Sequence, residues 1–387
     1  MREPSRGPVA TVSSWWPTEA EPQANPFVVD HARALAECVG DVECWVVAPG
    51  LRGEVSPFVN PGGKLGPPIS HQPRIPAFVA STAAGSWLLA GLAHLRIRRQ
   101  KRSRPRAVVL QSFSYAGPYA IGLARAARCP LIYVEHWSAV ALRELPRRQV
   151  AGLRRVLHAS DLVVAVSRFL ADVLEDIGGL PPGSVRVVEN VVDPSLFAAA
   201  APPPHEGTVI AQIADFRPVK DHGLLVDTLL GMGAAELERL GLSFVLVGDG
   251  PLRASVQRQI ASEPTVARRV RFTGRLSRAE VADELARADW TLLTSRVETS
   301  SCVARESLAV GRPVIAPRVG ALPEVLRQGD GILYERTPGD LAEAFRAAGS
   351  HEDPASWRRR SASAAERFAP AALAASYGRL FSEVEAR

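Results

Sequence analysis

The chain has 387 residues, 46 of them basic and 40 acidic, for a formal net charge of +6. Three of the basic residues are lysine, Lys64, Lys101 and Lys220, and the other 43 are arginine. That skew, with abundant Ala, Gly and Pro, fits a GC-rich coding genome rather than a nucleic-acid binder, whose charge gathers on one face. Hydrophobic content of 47% with 22% charged residues is ordinary globular composition.

Taken in chain order, short apolar runs alternate with helical patterns. Met1 to Pro8 lacks the apolar stretch of a signal peptide, and no run is long enough to span a membrane. Candidate strands are 9–12, 43–47, 107–110, 131–134, 162–166 and 185–188, then 209–213, 244–247, 270–272, 290–293, 313–316 and 331–334. Most are continuous apolar runs, the pattern of parallel strands covered on both faces. Helical patterns lie between them, for example at 27–37, 221–230, 278–288 and 302–310. Strand–helix alternation predicts right-handed βαβ units and an α/β, doubly wound architecture.

The strands form two sets of six, separated by the linker-like AAAAPPPHEG at 198–207. This predicts an N-terminal domain over 1–200, a C-terminal domain over 208–365, and a last helix within 366–387 that packs on either. Open α/β sheets bind ligands at the carboxyl ends of their strands. Cys38, Cys44, Cys129 and Cys302 have neither CxxC spacing nor zinc-finger histidines, and read as reduced thiols of a cytoplasmic protein. The run Arg96–Arg106 carries seven basic residues in eleven. It reads either as a surface helix end whose cations suit the helix dipole, or as a contact for an anionic membrane face.

The strongest motif runs from Thr294 to Glu324, TSRVETSSCVARESLAVGRPVIAPRVGALPE. Glu298 follows a predicted strand. Thr299, Ser300, Ser301 and Cys302 open a helix, Ser300 and Ser301 being good N-cap types, and Glu306 lies about one turn in. Free amides at a helix start favour an anion such as a diphosphate, and a carboxylate suits a ribose diol.

These residues resemble the signature of the family 4 retaining glycosyltransferases, which share the GT-B fold of two Rossmann-like domains. SSWWPTEAEPQANPFVVDHARALA, YVEHWS, VSRFL, VVENVVDPSLF, IADFRPVKDHGLL, VLVGDGPLR and VRFTGRLSRAEVADELARADWTLLTS resemble further family segments, in order. The resemblance implies an enzyme that moves a hexose or N-acetylhexosamine from a nucleotide sugar, UDP-linked by expectation, to an acceptor hydroxyl, without a metal or tightly bound cofactor. Carried over by position, Glu298 contacts the donor sugar, Glu306 the ribose and Lys220 the diphosphate. Arg275 lies where the nucleobase is held, Gly248 and Asp249 form a turn near the nucleotide, and His136 sits close to the donor hexose. Asn25 stands where the family has glycine in its N-terminal loop.

Three departures stand out: Thr299, Ser300 and Ser301 replace glycines after Glu298; Ala214-Asp215 replaces Gly-Arg before the lysine, with Arg217 expected to reach the diphosphate instead; and Ala321 replaces the second glycine of a pair. The acceptor is expected on the first domain, where Trp15, Trp16, Tyr115 and Trp137 either give flat surfaces for a sugar or cyclitol ring or are ordinary packing. The expected partners are a nucleotide sugar and a hydroxylated acceptor, with no nucleic acid, in a monomer or homodimer. The location is cytoplasmic, with Arg96–Arg106 able to touch the inner membrane face. The competing reading is a non-catalytic nucleotide-sugar-binding partner protein.

Overall fold

A computed structural model describes residues 7–16, 26–47, 69–71, 88, 91–92, 95, 104–113, 116–201, 206–348 and 356–386. The chain forms two compact units, one of residues 1–190 with 370–387, the other of residues 191–369.

The first unit is built on a seven-stranded parallel sheet: β1 (Val9–Ser13), β2 (Val42–Val47), β3 (Ile69–His71), β4 (Ala107–Gln111), β5 (Leu131–Glu135), β6 (Leu162–Ala165) and β7 (Arg186–Val187). Its order is β3-β2-β1-β4-β5-β6-β7, so the winding reverses between β1 and β4. Every residue of β1, β4 and β5 is buried, which is why these strands read as unbroken apolar runs. Trp45, Tyr119 and Tyr133 are the large side chains of this core. Each such burial contributes about 1.5–3 kcal/mol.

The second unit holds a six-stranded parallel sheet: β8 (Thr208–Ile213), β9 (Leu242–Val247), β10 (Val270–Gly274), β11 (Trp290–Leu292), β12 (Val314–Pro317) and β13 (Gly331–Tyr334). Its order is β10-β9-β8-β11-β12-β13, with the reversal between β8 and β11. Both sheets are thus α/β and doubly wound, as the alternation predicts.

The structure differs from the sequence expectation in two places and fixes a third that the sequence leaves open. The first sheet has a seventh strand, because three-residue β3 is too short to show a period. Residues 191–200 pack with the second unit: Val192 and Phe197 are buried in its core, and Val192 N–H donates to Phe368 O. The last helix, Pro370–Glu385, belongs to the first unit, where it packs on the helix Pro26–Val39. Arg186 pairs with Glu383, and Arg106 pairs with Glu385 at 2.8 Å while lying over the Phe381 ring. Arg96–Lys101, most of the basic run, falls outside the described residues, as do Lys64, Asn25 and Tyr115. No described helix is long and apolar enough to cross a membrane. All four cysteines are free, and burial raises the Cys44 and Cys129 thiols to about 12.

Candidate active site

In the second unit the candidate residues gather at the carboxyl ends of β8 and β11, where the winding reverses and open α/β sheets take their ligands. The chain leaves β8 through Ala214–Arg217 into a 3-10 turn, Pro218–Lys220. The loop after β11 fixes that turn. Thr294 Oγ1 donates to Lys220 O at 2.7 Å, Arg296 N–H donates to Val219 O, and Gln212 Nε2 donates to Thr294 Oγ1. Lys220 Nζ consequently lies 2.6 Å from Glu298 Oε1, which also accepts from Ser295 Oγ at 2.6 Å. Ion pair and hydroxyl hold a carboxylate that is only 8% exposed.

The backbone of Glu298 is clamped as tightly. Ala321 N–H donates to Glu298 O, and a Cβ on Gly320 would lie 2.2 Å from that oxygen, so only glycine fits there. Ala321, in place of the second glycine, has an ordinary helical backbone (φ −82°), so that departure carries no strain. Thr299, Ser300 and Ser301 likewise avoid the left-handed region. Ser301 caps the helix Cys302–Val310 by accepting from Ala304 N–H. Ser300 Oγ is buried beside this helix start and finds no hydrogen-bond partner among the described residues.

Around this pair runs a ring of charge. Asp215 lies 3.9 Å from both Arg217 and Arg275, and Asp249 lies 3.7 Å from Arg253. Arg217 and Arg275 are largely exposed. Gly248 (φ 135°) donates to Gly274 O, and a Cβ there would meet Ala214 O at 2.1 Å, so the loops after β8, β9 and β10 interlock at glycine. Glu306 pairs with Arg278 at 3.2 Å. His222 stacks on Phe216 at 4.0 Å, and burial, with Lys220 nearby, lowers its pKa to about 4.

The first unit presents a different chemistry at its own carboxyl ends. Glu135 is fully buried and accepts four hydrogen bonds: from Phe113 N–H (3.1 Å), His136 N–H (2.7 Å), Trp137 N–H (2.8 Å) and the Tyr133 hydroxyl. It ties the ends of β4 and β5 together, and burial still leaves its pKa raised. His136 follows it, stacked on Phe27 at 4.6 Å and edge-on to His31 at 4.7 Å. Its Nε2 lies 2.9 Å from Gln111 Oε1, an acceptor, so Nε2 carries the ring proton. Burial, then the neighbouring His31, holds its pKa well below the usual histidine range. The Tyr377 hydroxyl donates to His31 Nδ1 at 2.6 Å, and His31 Nε2 donates to Asn190 Oδ1 at 3.1 Å. Burial lowers His31 to about 4.

Of the two readings of the aromatics, ordinary packing holds at Trp16. Trp16 is buried rather than open as a flat surface, with its Nε1 lacking a partner among the described residues. Trp15 and Trp137 are half-buried and meet edge to face at 5.4 Å.

Sequence reasoning did not single out Ser295, Arg253, Arg278, His31, Gln111 or Tyr377. Ser295 and Arg253 pair locally with Glu298 and Asp249, whereas Arg278, His31, Gln111 and Tyr377 pair with residues 25 to 346 positions away, for instance Gln111 with His136 and His31 with Tyr377. Among the described residues no group of three or more His, Cys, Asp or Glu side chains comes together to hold a metal.

Comparison with known proteins matches both halves. Residues 24–196 fit the family model described as Glycosyltransferase Family 4, and residues 207–350 that described as Glycosyl transferases group 1. A D-inositol 3-phosphate glycosyltransferase of Catenulispora acidiphila is 31% identical over 225 residues, 54% of this chain and 53% of that protein. A glycogen synthase of Mycobacterium tuberculosis is 26% identical over 294 residues, 73% of this chain and 69% of that protein. The match with the first of these thus spans only about half of the relative's length. Among solved structures, Anabaena HepE in complex with UDP and glucose superposes with a TM-score of 0.73 at 16% identity, covering 97% of this chain and 99% of that one. Sucrose-phosphate synthase of Thermosynechococcus elongatus gives 0.74 at 18%, covering 98% and 100%. The chain belongs to the family 4, group 1 glycosyltransferases and has their GT-B fold.

Proposed function

We propose that this protein transfers a hexose or N-acetylhexosamine from a nucleotide sugar to a hydroxyl of a small polar, natural-product or glycan acceptor, with retention of anomeric configuration. The observation that carries this reading is the Lys220–Glu298 pair at the reversal of the second sheet, beside a capped helix start with a buried serine hydroxyl unpartnered among the described residues. A diphosphate is favoured by a cation and by the positive end of a helix, and a sugar needs a fixed carboxylate within reach; this corner brings together Lys220, the start of Cys302–Val310 and Glu298. The structural neighbours solved with UDP and with UDP-glucose support a uridine donor. Relatives named for inositol 3-phosphate and L-malate support a compact polar acceptor.

In this reading Lys220 binds the diphosphate, exchanging its contact with Glu298 for phosphate oxygens. Arg217 turns from Asp215 to join it. The amides of Thr299–Cys302 and the Ser300 hydroxyl meet the remaining oxygens. Glu306 takes the ribose diol, Arg275 and the Gly248–Asp249 turn border the base, and Glu298 holds hydroxyls of the sugar. The acceptor oxygen attacks the anomeric carbon from the face the phosphate leaves. The bond from that carbon to the phosphate oxygen breaks, and the departing oxygen takes the acceptor proton. Lys220 and the helix amides stabilise the charge that develops on the diphosphate. His136 is a neutral side chain near the hexose, its ring proton held by Gln111, and Trp137 and the segments before Phe27 and after Phe113 bind the acceptor.

The test is to incubate the protein with UDP-, GDP- and ADP-sugars and measure nucleotide release with and without inositol phosphate, malate and oligosaccharide acceptors. Release that requires an acceptor is expected. Donor binding without release for any acceptor would favour the non-catalytic binding partner, and no binding at all would sink both readings.

A further inference from the structure

Arg278 stands where helix stability gives no reason for an arginine. It is the first residue of the helix Arg278–Arg287, which follows β10. A cation at a helix N-terminus opposes the macrodipole. Nor does the helix need it as a cap. Ser277 Oγ accepts from Glu280 N–H at 3.3 Å and Glu280 Oε2 accepts from Ser277 N–H at 2.7 Å, a complete capping box. The guanidinium instead turns to the neighbouring helix Cys302–Val310, where Nη2 donates to Glu306 Oε1 at 3.2 Å, and lies over the buried Phe197 ring at 5.5 Å. Arg278 and Glu306 are 22% and 10% exposed, so this is not one of the solvated pairs that contribute little. Phe197 sets the plane of the guanidinium, and the guanidinium sets the rotamer of the carboxylate.

We infer that Arg278 is a positioning residue for the nucleotide: it holds Glu306 by one oxygen so that the carboxylate is already turned toward the ribose hydroxyls before the donor arrives. A carboxylate accepts at about four lone-pair positions, enough to hold an arginine and a diol together. Fixing the rotamer in advance removes an ordering cost from binding. The inference rests on the reading of Glu306 as the ribose ligand.

The measurement is binding by calorimetry of UDP against 2′-deoxy-UDP, and of GDP against 2′-deoxy-GDP, to the full chain. For the diphosphate that binds more tightly, wild type should prefer the ribose form about tenfold, the value of one hydrogen bond to a charged group. Glu306→Gln should reduce that preference to about twofold. Arg278→Ala should reduce it as far, and Arg278→Lys should restore part of it. The ratio is a readout that loosened packing does not move, because general destabilisation weakens both nucleotides alike. Full ribose preference in Arg278→Ala, with preference lost in Glu306→Gln, would overturn the positioning role and leave the ribose role standing. Full preference in Glu306→Gln, or none in wild type, would remove the ribose role and the inference with it.

Discussion

The carboxyl ends of the two sheets are built from opposite materials. In the second unit Lys220 meets Glu298, Arg278 meets Glu306, and Asp215 lies between Arg217 and Arg275. In the first unit Gln111, His31 and Phe27 meet His136, Tyr377 stands behind His31, and the carboxylate of Glu135 is sealed behind four donors. The difference matches the two halves of a sugar transfer. A diphosphate is a dianion that ion pairs can bind and release by partner exchange. An acceptor hydroxyl and a hexose are neutral, and a neutral histidine with a fixed tautomer can hydrogen-bond them without adding a competing charge.

The sharpest way to break this contrast is to remove a charge from the second unit. Lys220→Ala should lower turnover by about 10²–10³-fold and weaken nucleoside diphosphate binding, whereas Glu298→Gln should lower turnover more than affinity. Steady-state kinetics and calorimetry read the two effects, and unchanged diphosphate affinity in Lys220→Ala would end the role assigned to it. The next largest effect belongs to the neutral side. Glu135→Ala leaves the amides of Phe113, His136 and Trp137 and the Tyr133 hydroxyl without their acceptor, and should destabilise the protein by about 3 kcal/mol in denaturant titrations. Diphosphate affinity at low temperature should stay as in wild type, since the residues proposed to bind the donor belong to the other unit. A fall in that affinity would blur the division of labour.

The smallest effect tests what the two sides share. His31 in the first unit and His222 in the second both fall from 6.5 to about 4 through burial. Above pH 6.5 both are neutral in folded and unfolded chains, so they add no pH dependence. As pH falls below 6.5 the unfolded chain takes up protons that the folded one refuses, and stability drops until pH 4. By pH 5 each histidine should cost about 2 kcal/mol relative to pH 7. His222→Phe, which keeps a ring against Phe216, should remove one share of that slope. An unaltered slope would show that His222 is not neutral by burial.

The twelve anticipated strands were legible because buried parallel strands are written as continuous apolar runs, and β3 was not because three residues make no pattern. Glu298, Glu306 and Lys220 were legible because their spacing along strand, loop and helix is itself the motif. Their companions were not. Nothing near Glu306 announces Arg278, 28 positions earlier, and nothing near His31 announces Tyr377, 346 positions later. Such pairs exist only once βαβ winding has brought separate loops to one end of a sheet. Trp16 shows the reverse limit: an aromatic in a loop looks like an open surface until the burial of its ring is seen.

The return of Pro370–Glu385 to the first unit sets an order of events during synthesis. The second unit is one uninterrupted stretch, residues 191–369, and every segment of its sheet has left the ribosome before the chain is finished. The first unit begins emerging earlier but lacks the helix that carries Tyr377, Phe381 and Glu383 until the second unit has been translated. Domains generally fold as units, the N-terminal one first. Here the half translated second is the half that can close first, and the nascent first half leaves His31 without its tyrosine until Tyr377 has been translated. A stop codon shortly before residue 370 would therefore spare the charged end and leave the neutral end unfinished.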